Sequence, residues 1–305
     1  MSNRLPTIRQ LQYLVALTRL QHFGKAAEAC HVSQPAFSIA IRELESCLDS
    51  QLVDRDNKHV VITKVGRAVS EQAQRILNDI QELQQIAGFS KGNMQGRLSL
   101  GVIPTIAPFL LPTVLPGLRE SYPALELILY EGMTEELYRQ LLVGSLDFLL
   151  LALPYDLKGV EFLTLFRDPF HLAYRENTMI LQEDHYDLEK LPDESIFLLQ
   201  DGHCLRGHSL SACRISNQAK LSPVSASSLL TLVQMVDADL GISFLPEMAV
   251  NSSLLTNTKV KTRALSDDSY RDIGLVWRKG SSRENDFRIF GDFLCHNRQM
   301  ENTGE

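Results

Sequence analysis

The chain of 305 residues carries 30 Lys and Arg against 37 Asp and Glu, a formal net charge of −7. Its length suggests two or three domains, and an apolar share of 44% with 22% charged residues is a globular balance that excludes a disordered chain. No apolar run approaches the roughly 20 residues of a spanning helix, and the N-terminal stretch has neither an uninterrupted apolar core nor a small-residue cleavage site. No membrane partner and a cytoplasmic location are expected.

The total hides an asymmetry. Residues 1–75 hold ten basic and seven acidic side chains, a balance of +3, which leaves −10 for the rest. A basic head on an acidic body raises the expectation of a nucleic-acid partner. The five cysteines, Cys30, Cys47, Cys204, Cys213 and Cys295, form no Cys-x-x-Cys or His/Cys cluster with zinc spacing, so no metal and no cofactor are expected.

In chain order, residues 7–20 place Ile8, Leu11, Leu14 and Val15 at helical spacing. A break at Gln21–Gly24 precedes a second helix over Lys25–Cys30. Ser33 is a natural N-cap, with Pro35 tolerated in the first turn of a third helix over Gln34–Leu48. Phe37, Ile41, Leu44 and Leu48 share one face, and Gln34, Ser38, Arg42 and Glu45 lie away from it. Residues 51–55 and 60–63 flank a charged turn and read as a two-stranded wing. From Lys64 a long helix carries Val65, Val69, Ala73, Ile76, Ile80, Leu83 and Ile86 in a narrow stripe, expected to be a dimerisation seam. The alternative is a helix packed on its own domain.

Phe89–Gly96 is a polar, glycine-bearing linker. Beyond it strands (97–103, 125–130, 147–152, 195–199, 242–245, 272–277) alternate with helices (107–121, 134–143, 227–236, 284–296). That alternation predicts parallel sheets with helices on both faces. The expected organisation is a winged helix-turn-helix over 1–63, a linker helix over 64–90 and a two-lobed α/β regulatory domain over 91–305.

At the DNA end, Ser33, Gln34, Pro35, Ser38 and Arg42 occupy the start and outer face of the third helix. Gln and Arg there read base edges, and Ser and backbone donors contact phosphate. Arg55, Lys58 and Lys64 around the wing suit phosphates. Each is also an ordinary surface side chain, and Arg42 has Glu45 three residues on as a possible ion-pair partner.

The segments Phe23–Ala27, His31–Ser38, Ile41–Glu45, Leu52–Arg55 and Ile62–Thr63 resemble the LysR-type transcriptional regulators, as does Gly241–Pro246. The resemblance covers the whole chain and implies double-stranded DNA with a partly palindromic site, a homo-oligomer (a dimer at least, a tetramer by family), RNA polymerase as a partner, and a two-lobed domain like periplasmic binding proteins. Asp201-Gly202-His203-Cys204-Leu205-Arg206, with Cys213 nine residues after Cys204, resembles the peroxide-sensing OxyR branch. Gly101–Thr105 with Pro108, and Arg271–Val276, fit that branch as well. Ala36, Asp239 and Gly207 depart from common family choices.

What the branch resemblance implies is a regulator that senses hydrogen peroxide, with Cys204 peroxidatic and Cys213 resolving, and a peroxide pocket of Thr105, Thr134, His203, Arg206 and Arg271. It controls oxidative-stress genes as an activator and is not an enzyme. Only a thiolate attacks peroxide, and His203 and Arg206 are possible cations close in sequence to Cys204. Thr134 is equally suited to capping a helix. A disulfide needs α-carbons within about 7 Å, whereas a helical 204–213 separates them by about 13 Å and an extended one by about 30 Å, so bond formation requires refolding unless a loop already joins them. A LysR-type regulator binding a small metabolite non-covalently, and a thiol peroxidase or disulfide oxidoreductase, are the alternatives.

Overall fold

The computed structural model describes residues 5–56, 59–88, 94–181 and 190–303. The chain divides into two compact units, Met1–Gly92 with Leu142–Ser145, and Asn93–Leu141 with Leu146–Glu305.

In the first unit, α1 (Ile8–Leu20) starts from Thr7, whose hydroxyl and backbone exchange bonds with Gln10 in a capping box. The second helix, α2 (Phe23–Ala29), begins two residues before the expected Lys25. His22 Nδ1 accepts from the Lys25 N–H at 3.2 Å and caps the helix early. α3 (Gln34–Leu48) runs as the pattern predicts, with Ser33 Oγ accepting from the Ala36 N–H at 3.4 Å. Phe37, Ile41 and Leu44 are fully buried against Leu14 and Leu17 of α1.

β1 (Val53–Asp56) and β2 (His59–Ile62) pair antiparallel as the wing. Glu45 Oε1 accepts from the Leu52 and Val53 N–H groups at 2.9 and 3.0 Å, tying α3 to the wing's entry. α4 (Lys64–Gly88) follows. Its apolar stripe is divided. Ala73 is buried in the head's own core, with Val69 and Leu77 packed beside it, while Val65, Ile76 and Leu83 are exposed. The side chain of Ile86 lies outside the described residues.

The second unit runs β3 (Gly96–Val102), α5 (Ala107–Ser121), β4 (Leu125–Glu131), α6 (Thr134–Leu142), β5 (Phe148–Leu153), β6 (Val160–Arg175), β7 (Ile196–Leu199), α7 (Cys204–Ala212), β8 (Leu221–Ala226), α8 (Leu229–Asp237), β9 (Ser243–Pro246), α9 (Glu247–Val250), β10 (Val260–Ala264), β11 (Tyr270–Arg278) and α10 (Glu284–Thr303). Among the described residues, a sheet of order β10-β6-β11-β5-β3-β4, with β9 also on β6, forms the frame.

The expectation of parallel sheets holds only in part. β3 is parallel to β4 and β5, and β7 to β8. β11 is antiparallel to both β5 and β6, and β6 is antiparallel to β9 and β10. The reason is β6, sixteen residues long, which crosses from one lobe to the other. Its Leu163, Leu165 and Phe166 pack on the first core, which holds β3, α5 and β5. Its Phe170, Leu172 and Ala173 belong to the second, with β7, α8 and β9. One continuous strand thus contributes to both lobes.

Two turns explain local residue choice. Asp239 takes φ 59°, the left-handed conformation that Asp tolerates better than most residues. At Gly241 a Cβ would stand 2.4 Å from both the Phe197 ring and the Ser195 carbonyl, so the close approach of this turn to β7 needs glycine.

Candidate functional site

The site is built around α7, the nine-residue helix Cys204–Ala212 that follows β7. Gly202, at φ +98°, makes the turn into it, a backbone conformation that side chains rarely adopt. His203 is the N-cap residue and Cys204 the first helical residue; Cys213 is the C-cap. Both thiols are free. Cys204 is half-buried and packs against the core of the first lobe, whereas Cys213 is buried within the core of the second. Nine residues of helix separate their α-carbons by about 13 Å.

Four hydrogen bonds hold α7 along its length. His203 Nε2 meets the Ser227 carbonyl at 3.1 Å and His208 Nε2 meets the Pro154 carbonyl at 3.0 Å. Arg206 donates to the Leu199 carbonyl at 3.2 Å, and Ser269 Oγ donates to the Ala212 carbonyl at 3.2 Å. The helix therefore bridges β7, the segment after β5 and the start of β11.

Beside it lies a buried polar cluster. Arg271, 1% exposed, spans Asp168 and Thr105. Its Nε and Nη2 lie 3.0 and 2.9 Å from Asp168 Oδ2. Its Nη1 and Nη2 donate to Thr105 Oγ1 and the Thr105 carbonyl at 2.8 and 2.9 Å. Asp168 Oδ1 accepts from the Met248 N–H at 3.0 Å. A guanidinium satisfied in this way is a fixed, pre-oriented positive charge. Thr134 opens α6 with its side chain buried, and its Oγ1 has no hydrogen-bond partner, so the capping bond that would explain it structurally is not made.

The electrostatics link these parts. Burial, with charge on Glu135 and Cys204, pushes the Tyr155 phenol above its ordinary value, which places Tyr155 near both Cys204 and the start of α6. Burial holds His208 below the usual histidine value; Arg271 lowers it further, while the Pro154 bond and Asp272 act oppositely. Burial of Cys213 pushes its thiol up to about 12.

Two expectations about Cys204's neighbours need correction. Burial outweighs His203's bond to the Ser227 carbonyl and holds the ring below the ordinary value, which works against the cation. Arg206 turns to the Leu199 carbonyl and to Asp201, 3.1 Å away, because residues two apart on a helix do not share a face. Thr105 and Arg271 are brought together directly. Sequence reasoning missed Asp168, 103 residues from its partner, and His208, whose four-residue spacing from Cys204 was the available signal.

At the other end of the chain, Ser33, Gln34, Pro35 and Arg42 are exposed on α3 and Ser38 is half-buried. Ile39, 53% exposed on the same outer face, was also missed; a large apolar side chain there is of a kind that contacts thymine methyl groups. Lys64 is exposed at the start of α4. Lys58 and the side chain of Arg55 lie outside the described residues. Cys30 and Cys47 are half-buried in the head, and Cys295 Sγ faces the Leu165 carbonyl at 3.6 Å. Among the described residues, no helix is long and apolar enough to cross a membrane.

Comparison with known proteins identifies the family and the fold. Residues 8–67 match the model of the bacterial regulatory helix-turn-helix protein, lysR family, and residues 91–298 that of the LysR substrate binding domain. The chain is 36% identical over 291 residues to the HTH-type transcriptional regulator EstR of Acinetobacter baylyi, covering 95% of this chain and 96% of that one. It is 37% identical over 274 residues to the hydrogen peroxide-inducible genes activator of Escherichia coli O6:H1, covering 90% of each. Among solved structures, a full-length OxyR variant from Pseudomonas aeruginosa superposes with a TM-score of 0.79 at 33% identity, covering 96% of this chain and 95% of that one. The chain belongs to the LysR family of bacterial helix-turn-helix transcriptional regulators and resembles its OxyR branch in sequence and structure.

Proposed function

We propose that this regulator senses hydrogen peroxide through Cys204 and Cys213 and converts the oxidation into a change of fold that alters transcription. The observation that carries the reading is the placement of the two thiols at opposite ends of one helix and in two different cores. A thiolate at Cys204, at the helix end that presents backbone donors and a positive dipole, attacks one peroxide oxygen and releases hydroxide. The resulting sulfenic acid condenses with the Cys213 thiol, forming the disulfide and releasing water. Two thiols and one peroxide yield one disulfide and two waters.

The Thr105–Arg271 pair and the unpartnered Thr134 hydroxyl suit the binding and polarisation of a small hydroxylic ligand. The bond cannot form across about 13 Å of helix. Its formation unwinds α7, breaks the four bonds that hold it and draws at least one cysteine from its core. The head binds double-stranded DNA through the outer face of α3 with phosphates at the wing and Lys64. The exposed Ile76 and Leu83 of α4 meet a second copy, and an activator of this design contacts RNA polymerase in the cytoplasm.

The test is Cys204→Ser. The variant keeps DNA binding in the reduced state and loses its transcriptional response to peroxide; an undiminished response would overturn the reading and favour a regulator that binds a metabolite non-covalently. Steady peroxide consumption by catalytic amounts of protein would favour a thiol enzyme instead.

A further inference from the structure

Three buried side-chain polar atoms among the described residues lack a hydrogen-bond partner: Thr134 Oγ1, His171 Nε2 and His208 Nδ1. His171 sits 3.5 Å from Glu247, outside the Cys204 site. The other two flank it. His208 follows Cys204 by four residues on α7, which puts both side chains on one helix face with Cβ atoms about 5–6 Å apart.

The ring's protonation follows from its one bond. The Pro154 carbonyl only accepts, so the Nε2 atom 3.0 Å from it carries the hydrogen. In the neutral ring Nδ1 is then a bare acceptor. A buried acceptor left without a partner costs stability, and such an atom in a well-formed site calls for an explanation in function.

We propose that His208 is the proton acceptor of the Cys204 site, taking the thiol proton on Nδ1 and returning it to the departing oxygen of the peroxide. The proton on Cys204 Sγ passes to Nδ1. The thiolate attacks the near peroxide oxygen, the O–O bond breaks, and the departing hydroxide takes the proton from the imidazolium to leave as water. Cys204 is left as the sulfenic acid, and His208 returns to its starting state. The inference rests on the peroxide-sensing reading above and assigns it a base.

The groups facing His208 suit this role. From β11 come Arg271 and Asp272, which act on the ring in opposite senses, and from the segment after β5 comes the Pro154 carbonyl; Cys204 stands one turn back on the same face of α7. β7, the other neighbouring strand, is the apolar run Ile196–Leu199. Burial and Arg271 keep the ring neutral, and so able to accept, at neutral pH. As pH falls and the ring binds a proton, Nδ1 is blocked and oxidation slows.

The experiment measures the rate of Cys204 sulfenic acid formation against pH, in full-length protein carrying Cys213→Ser so that no disulfide intervenes. His208→Gln keeps a donor for the Pro154 carbonyl and removes the titrating acceptor. The parent is expected to show a break in its pH profile from His208 that the Gln variant lacks, the variant following the ionisation of Cys204 alone and reacting at least about 100-fold more slowly at neutral pH. Equal rates with the same break in both proteins would overturn the inference. Should His208→Gln fail to bind DNA as the parent does, nitrogen-15 NMR of the parent decides: a bare Nδ1 at neutral pH supports the assignment, and a hydrogen on Nδ1 refutes it. A parent in which peroxide never oxidises Cys204 sinks the sensing reading itself; a parent that oxidises normally alongside an indistinguishable Gln variant sinks only the role of His208.

Discussion

Cys204 and Cys213 begin and close the same short helix, yet each packs in a different lobe: Cys204 lies against the first core and Cys213 inside the second. The helix between them keeps the thiols apart while four hydrogen bonds and two cores keep the helix formed. The reduced state is therefore a packed conformation that the proposed disulfide would have to dismantle, and changes within α7 would shift that balance.

Gly207 is such a place. No heavy atom from the surroundings lies within 4 Å of where its Cβ would stand, and its φ is not in the left-handed region. A glycine inside a helix costs about 0.5–1 kcal/mol relative to alanine. Gly207→Ala is expected to stabilise the dithiol form by that amount and raise the disulfide's reduction potential by about 10–20 mV. Equilibration against glutathione buffers measures this; an unchanged or lowered potential contradicts it.

The Arg271–Asp168 pair makes a second prediction, since both side chains are wholly excluded from solvent. Arg271→Ala leaves a buried carboxylate without its cation, a loss of about 3–5 kcal/mol. Denaturant unfolding of the reduced protein should show a lower midpoint for the variant. Removing both charges with Arg271→Met and Asp168→Leu together should cost much less than the single change.

Cys213 predicts the alkaline behaviour. Its thiol ionises at about 12 in the folded protein against an ordinary 9.0. A raised value means that the stability tied to the neutral thiol is complete below pH 9 and is lost as pH climbs toward 12. Cys213→Ala should flatten the fall in stability across that window, measured by unfolding at a series of pH values. The same burial predicts that an alkylating reagent labels Cys213 slowly in the reduced protein until it is unfolded.

On the reading helix, Arg42→Ala should weaken operator binding by about 1–3 kcal/mol if the guanidinium meets a base edge. If it meets phosphate, the loss is similar on every sequence and the salt slope falls by about one. Titrations on operator and on unrelated DNA at several salt concentrations separate the two, and no loss on either removes Arg42 from the interface.

Local signals carried much of this structure. The N-cap at Ser33, the buried face of α3 and the wing lie where spacing and capping chemistry put them. β6 was hidden because Arg167, Asp168 and Pro169 interrupt its alternation, although the strand continues through them into the second lobe. α7 was hidden because it is short, contains Gly207 and buries little beyond Leu205 and Ser209. In the site, Cys204 and Cys213 were visible through their motif, whereas Asp168 became a partner of Arg271 only through tertiary pairing of β6 with β11. The charge state of His203 and the direction of Arg206 depend on burial and on side-chain geometry, which one-dimensional neighbourhood does not convey.

The most direct measurement treats the reduced full-length protein with one equivalent of hydrogen peroxide, traps its thiols for mass spectrometry, and follows operator binding on the same samples. The account predicts a Cys204–Cys213 disulfide, loss of amide protection across 204–212 by hydrogen exchange, and altered operator binding that returns on reduction. A disulfide formed with α7 still protected and binding unchanged, or no disulfide at all, would contradict it.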